Sequence, residues 1–148
     1  MNDAPLGGVI RGKTHVLPVR IYYEDTDLTG IVYHANYLRY LERGRSDFLR
    51  LMGIRHRDLL AAAAPIAWTV VRMELDFLRP AHIEETLEVH TAYTGLRGAR
   101  LFAVQAVKRN GEELVKAKLE AACIRPDGRP TRVPVAMRGI LADFLTAF

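Results

Sequence analysis

The run Tyr22-Tyr23-Glu24-Asp25-Thr26-Asp27-Leu28-Thr29-Gly30-Ile31-Val32-Tyr33-His34 gathers residue types that move protons and attack acyl carbons. It combines two aspartates with a glutamate, a histidine and tyrosines, and it leads from a strand-like segment into an amphipathic helix. A carboxylate delivered to a helix N-terminus can activate water as a general base or attack a carbonyl itself. The unpaired N–H groups of the first helical turn can meanwhile hold the oxygen that gains charge.

Other chemistries fit these residues less well. Asp25-x-Asp27-x-Thr29-Gly30 opens like a calcium-binding EF-hand loop, but Thr29 stands where Asp or Asn is usual. Asn36 then occupies the position that needs a bidentate glutamate, and a strand rather than a helix precedes the loop. Asp25, Asp27 and His34 could ligate a transition metal, yet the chain has no HExxH pattern and its other histidines are scattered. The plain structural alternative is a turn in which Asp27 accepts backbone N–H groups and Gly30 takes a left-handed conformation.

The elements that must position these residues follow from periodicity. Residues 1–13, with Gly7, Gly8 and Gly12, read as a flexible leader. Thr14 to Tyr23 alternates as a strand, and Pro18 within it suits an edge or a late start. Asn36 to Met52 carries Tyr37, Tyr40, Leu41, Gly44, Phe48, Leu51 and Met52 at helical spacing, with Asn36 as N-cap and Gly53 as terminator. Gly44 inside that apolar stripe weakens the helix, so it implies close approach of another backbone. A shorter helix is expected over Arg57 to Ala64.

The period then changes to two. Val71, Met73, Leu75 and Phe77 alternate with charged residues, as do Leu87, Val89, Thr91 and Tyr93 with polar ones. Gly95 and Gly98 mark a turn, Leu101 to Lys108 forms the next strand, and Asn110-Gly111 is a two-residue hairpin signal leading into Glu113 to Ile124. Pro126-Asp127-Gly128 stops that strand, and Val133 to Phe148 suits a short closing helix. Strands segregated from one long helix make the class α+β, with an antiparallel sheet curled round the helix. Residues 14–148 then form a single domain.

Composition sets outer bounds. A chain of 148 residues, 49% hydrophobic and 26% charged, suits one globular domain. A lone cysteine, Cys123, excludes an intrachain disulfide and fits a reducing compartment. Met1 to Val9 lacks the apolar core of a signal peptide, and no apolar run nears the ~20 residues that span a bilayer. The expected location is cytoplasmic. The net charge of +4, mostly arginine, allows an anionic partner, but no nucleic-acid-binding motif accompanies it.

The segment Tyr23 to Tyr37, with Tyr23, Asp27, Gly30, Val32, Tyr33, His34 and Tyr37 all in place, closely resembles the signature of the 4-hydroxybenzoyl-CoA thioesterase family, and its YbgC-like acyl-CoA thioesterase branch most of all. Arg43 to Leu49, Val70 to Ala81 and Thr94 to Gly98 extend the resemblance over about residues 17–138. It implies the hotdog fold, in which an antiparallel sheet wraps a long central helix. It also implies pairing of subunits, commonly into a homotetramer built as a dimer of dimers with active sites at the interfaces.

The reaction implied is hydrolysis of an acyl-CoA thioester with a short aliphatic or aromatic acyl group. No cofactor or metal is needed, coenzyme A being part of the substrate. The resemblance places the catalytic carboxylate at Asp27, with Tyr23 and His34 assisting and the His34 backbone N–H as oxyanion donor. Gly30, Val32 and Tyr33 would shape the substrate site. On an extended strand Asp25 and Asp27 would point the same way, which makes Asp25 the alternative base and Glu24 an outsider. Arg72, Arg79, Arg125, Arg129 and Arg132 are candidates for the phosphates of coenzyme A. An acyl-carrier-protein thioesterase, or a non-hydrolytic acyl-CoA-binding scaffold near envelope or phospholipid machinery, is the rival function.

Overall fold

Residues 5–147 are described by a computed structural model. The strands are β1 (Val9–Arg11), β2 (Thr14–Arg20), β3 (Ala67–Phe77), β4 (Thr86–Arg97), β5 (Arg100–Arg109) and β6 (Glu112–Ile124). The helices are α1 (Asn36–Leu51), α2 (His56–Ala61) and α3 (Val135–Ala142), with a 3-10 turn at Tyr23–Asp25. All strand pairs are antiparallel, in the order β1-β2-β4-β5-β6-β3. The sheet wraps α1, which is the hotdog architecture.

The strands form because their apolar residues alternate. In β5, Leu101, Ala103, Gln105 and Val107 are buried while the residues between them are not. Asn110 and Gly111 both take positive φ, 50° and 83°, and Arg109 pairs with Glu112 across them. That is the two-residue turn whose twist matches the flanking strands. Gly98, at φ 61°, turns the chain between β4 and β5. Gly95 does not share that turn; it lies inside β4 at a shift of register.

Other elements differ from the sequence expectation in instructive ways. The stretch 1–13 holds β1, whose Val9–Arg11 pair with Thr14–Val16. Pro18 lies beyond that pairing, so its missing N–H breaks no ladder on that side. The first long strand ends at Arg20 rather than Tyr23, because the chain turns into the 3-10 segment. Val71 falls at a bulge between Val70 and Arg72, so it leaves the alternation and is 45% exposed. The second helix begins earlier than expected and is shorter. Phe148 lies outside the described residues.

The helix α1 buries Tyr37, Tyr40, Leu41, Gly44, Phe48 and Leu49. Leu51, expected on that face, is 47% exposed, and Leu49 replaces it in a cluster shared with α3. Each large apolar side chain so buried contributes about 1.5–3 kcal/mol. Gly44 is the point of closest approach: a Cβ there would lie 2.7 Å from Val89 Cγ1 and 3.0 Å from Thr91 Oγ1. The helix therefore comes close to its own sheet there, and what a Cβ would meet is the side chains of β4 and β5 rather than another backbone. Beneath it, the Gln105 amide donates to the Leu41 carbonyl at 2.8 Å and to Thr91 Oγ1 at 2.9 Å, and its oxygen accepts from Arg45 at 3.0 Å. The hydrogen bonds made by this buried amide offset the cost of taking it out of water.

His15 is buried and stacks on Phe48 with ring centroids 5.3 Å apart, and its Nε2–H donates to the Gly7 carbonyl at 2.7 Å. Its Nδ1 has no partner among the described residues. Burial holds the His15 pKa below the ordinary histidine value, although the Gly7 carbonyl and Asp47 pull the other way. The unfolded chain thus gains a proton around pH ~6.5 that the folded protein resists. Stability should be complete above that pH and decline as the pH falls below it. Urea midpoints measured from neutral to acid pH should show the decline. A His15 ring signal that titrates at or above the free-histidine midpoint would contradict it.

Candidate active site

Ile21, fully buried, ends the run of core residues from β2, and the chain then lifts into the 3-10 turn. The Asp25 N–H donates to the Tyr22 carbonyl at 3.0 Å, and the Thr26 N–H and hydroxyl both donate to the Tyr23 carbonyl. A tight hairpin follows. Thr26 bridges to Val32, the Asp27 N–H donates to the Ile31 carbonyl at 2.9 Å, and the Gly30 N–H returns to the Asp27 carbonyl at 3.2 Å. Gly30 has φ 82°, the left-handed geometry expected of it.

Within this hairpin Asp27 is exposed. Its Oδ1 accepts the Thr29 N–H and the Thr29 hydroxyl, each at 2.7 Å. These bonds, the hydroxyl first, hold the Asp27 pKa below the ordinary aspartate value. Its Oδ2 makes no protein hydrogen bond among the described residues, so an ionised oxygen stands free. Thr29→Val removes the stronger donor, so the Asp27 carboxyl should titrate at higher pH than in the wild type. NMR of the carboxyl carbon would measure it, and an unmoved midpoint would exclude a role for the hydroxyl.

Two struts hold the hairpin against the helix. On one side the Val32 N–H donates to the Ala81 carbonyl at 2.9 Å, Ile31 bridges to His82, and the Ala81 N–H donates to the buried Tyr37 hydroxyl at 3.2 Å. On the other, the Asp25 carbonyl accepts the Tyr33 N–H and the Asn36 side-chain amide, each at 2.9 Å. Asn36 is thus the first helical residue, and Ala35 occupies the cap position. In the first turn, Asn36, Tyr37 and Leu38 donate their N–H groups to Tyr33, His34 and Ala35. The N–H groups of His34 and Ala35 find no acceptor among the described residues, which leaves two donors open at the helix end.

The expected site residues are thereby brought onto one loop, though not all into contact. The His34 ring packs against Tyr33 at 4.7 Å and Phe77 at 6.0 Å, with no hydrogen bond to Asp27. Tyr23 is 83% exposed. Val32 is buried in the core and anchors the loop from inside rather than offering a surface. Asp25 does not point with Asp27, because the 3-10 turn abolishes strand alternation; its Oδ2 accepts the Tyr22 N–H at 2.8 Å. Thr29 was missed as a functional partner, although Asp-x-Thr in a turn is a recognisable side-chain-to-backbone pattern. Of the candidate arginines, Arg72, Arg79 and Arg125 pair with Glu74, Glu112 and Asp127. Arg129 and Arg132 form no ion pair among the described residues.

Residues 29–116 match the family description Thioesterase superfamily. The chain belongs to this family. A curated thioesterase relative, acyl-CoA thioesterase YbgC of Haemophilus influenzae, is 37% identical over 72% of this chain and 78% of its own length. Acyl-CoA thioester hydrolase YbgC of Escherichia coli O6:H1 is 35% identical over 86% of this chain and 92% of its own. Among solved structures, a probable thioesterase from Bartonella henselae superposes with TM-score 0.80 at 41% identity, covering 82% of this chain and 99% of that one.

Two further features of this thioesterase bear on its site. Among the described residues no helix is long and apolar enough to cross a membrane. Separately from the Asp27 loop, a cavity of about 90 Å³ lies between α1 and the sheet, walled by Leu49, Trp68, Tyr93 and Leu101. At its rim the Ser46 hydroxyl lies 2.8 Å from a Glu42 oxygen and 3.0 Å from His56 Nε2.

Proposed function

We propose that the protein hydrolyses acyl-CoA thioesters to a free acid and coenzyme A, with Asp27 as the acting carboxylate. The observation that carries this reading is the pairing of an ionised, half-unbonded Asp27 with open N–H groups of His34 and Ala35 at the start of α1. The thioester oxygen is polarised by those donors as the carbonyl carbon is attacked. As base, Asp27 takes a proton from water, whose oxygen adds to the carbon, and the C–S bond breaks. As nucleophile, an Asp27 oxygen adds instead, the thiolate leaves, and water hydrolyses the mixed anhydride. The His34 ring, which makes no hydrogen bond among the described residues, is read as the group that protonates the leaving thiolate.

Exposure supports a site completed by another copy of the chain, in a homo-oligomer that we read as a dimer of dimers. Leu28 beside Asp27 is fully exposed and so is most of Tyr23, while Val70 and Phe77 on the free edge strand β3 are 41% and 50% exposed. Such apolar surface is unusual on a monomer. Tyr23 is read as part of the wall that closes the site, and the setting as cytoplasmic. Free-thiol release from a panel of short aliphatic and aromatic acyl-CoA esters, by wild type and Asp27→Asn, tests the proposal. Release by the wild type alone supports it; equal release by both removes Asp27 from the site.

A further inference from the structure

Asp27 makes no hydrogen bond to α1 among the described residues. Its side chain bonds only to Thr29, and its backbone only within the hairpin. Its distance from the helix N-terminus is therefore set by whatever ties hairpin to helix, and on the helix side that tie converges on Asp25. The Asp25 carbonyl holds Tyr33 and Asn36, and its carboxylate holds the Tyr22 N–H that closes the 3-10 turn.

We propose that Asp25 is a positioning residue for thioester hydrolysis: with Asn36 it forms a clamp that sets the Asp27 carboxylate against the open N–H groups of His34 and Ala35. This assignment rests on Asp27 being the acting carboxylate. It separates two aspartates that alternate in sequence but do different work. Each accepts a loop backbone N–H, but Asp25 is half-buried against the turn it closes, whereas Asp27 is exposed.

A double-mutant cycle tests it, using thiol release and thermal melts on the full chain. Asp25→Ala and Asn36→Ala should each lower kcat by about tenfold or more while KM changes little, the pattern of lost geometry rather than lost binding. Their acid pH limb should stay near that of the wild type, because the Thr29 bonds to Asp27 remain. In an Asp27→Asn background, Asp25→Ala should cause almost no further loss, since the group it positions is gone. If Asp25→Ala lowers the residual rate by the same factor in both backgrounds, the clamp assignment fails. It fails equally if Asn36→Ala, folded by its melt, retains full kcat. Should Asp27→Asn alone keep full activity, the acting carboxylate has been misassigned, a failure distinct from either of these. Should Asp25→Ala not fold, the Asn36→Ala cycle with Asp27→Asn decides the question.

Discussion

Asp27→Asn should abolish all but a trace of thioester hydrolysis while leaving the fold intact. Asparagine keeps the size of the side chain, and its amide oxygen can still accept the Thr29 N–H and hydroxyl that Asp27 Oδ1 accepts at 2.7 Å. The hairpin closed by Gly30 should therefore survive. What disappears is the negative charge on the free oxygen, and with it the capacity to take a proton from water or to attack the carbonyl carbon. Loss of a positioned base or nucleophile typically costs roughly 100- to 10,000-fold in rate. The loss should fall on kcat, because the open N–H groups that hold the thioester oxygen are backbone and remain. Asp27 is exposed, so the melting temperature should barely move. A large fall in melting temperature alongside the lost activity would mean that the carboxylate is a structural turn group instead.

Gly44→Val should be the most damaging substitution for stability. The first added carbon already lies 2.7 Å from Val89 Cγ1 and 3.0 Å from Thr91 Oγ1, well inside contact distance. Val89 is itself branched and fully buried, so it has no flexible end to swing aside. To make room, α1 must lift from β4, which also stretches the Gln105 bonds to Leu41 and Arg45. Overpacking of this kind costs about 3 kcal/mol, more than the under ~1 kcal/mol gained by removing a helical glycine. The melting temperature should fall by several degrees, at roughly 2–4 °C per kcal/mol for a chain of this size. Gly139 in α3 is the control, since nothing lies within 4 Å of a Cβ there. Gly139→Ala should leave the protein as stable or slightly more so. Equal effects at the two glycines would show that helix propensity, not the approach of α1 to the sheet, governs Gly44.

Much of this was legible in local pattern. The alternation of β4 to β6, the Asn110-Gly111 turn and the extent of α1 each depend on residues close in sequence, and each is found nearly where periodicity puts it. Gly44 likewise announced that something must approach the helix there. The errors lie where distant segments decide. Helical spacing puts Leu51 on the buried face, but the sheet covers the side of the helix that carries Leu49, which lines a cavity with Trp68, Tyr93 and Leu101. Val71 fits the alternation of β3 until the pairing with β6 inserts a bulge. Val9–Arg11 is too short to register as a strand alone and exists because β2 offers it an edge.

The same division holds at the site. The amino-acid sequence by itself determined which groups are present: a carboxylate, a turn glycine and a helix start within one short run, and the family to which they belong. Side-chain chemistry and local turn preference are properties of neighbouring residues, so they can be read without coordinates. Only the tertiary structure decided where the Asp27 hairpin is held. The donors that reach the two carboxylates, Tyr22 and Thr29, are neighbours in sequence, but the struts from Ala81 and Tyr37 that fix the hairpin against α1 are remote in the chain. Those segments meet only when the sheet closes around the helix, so no local pattern announces them.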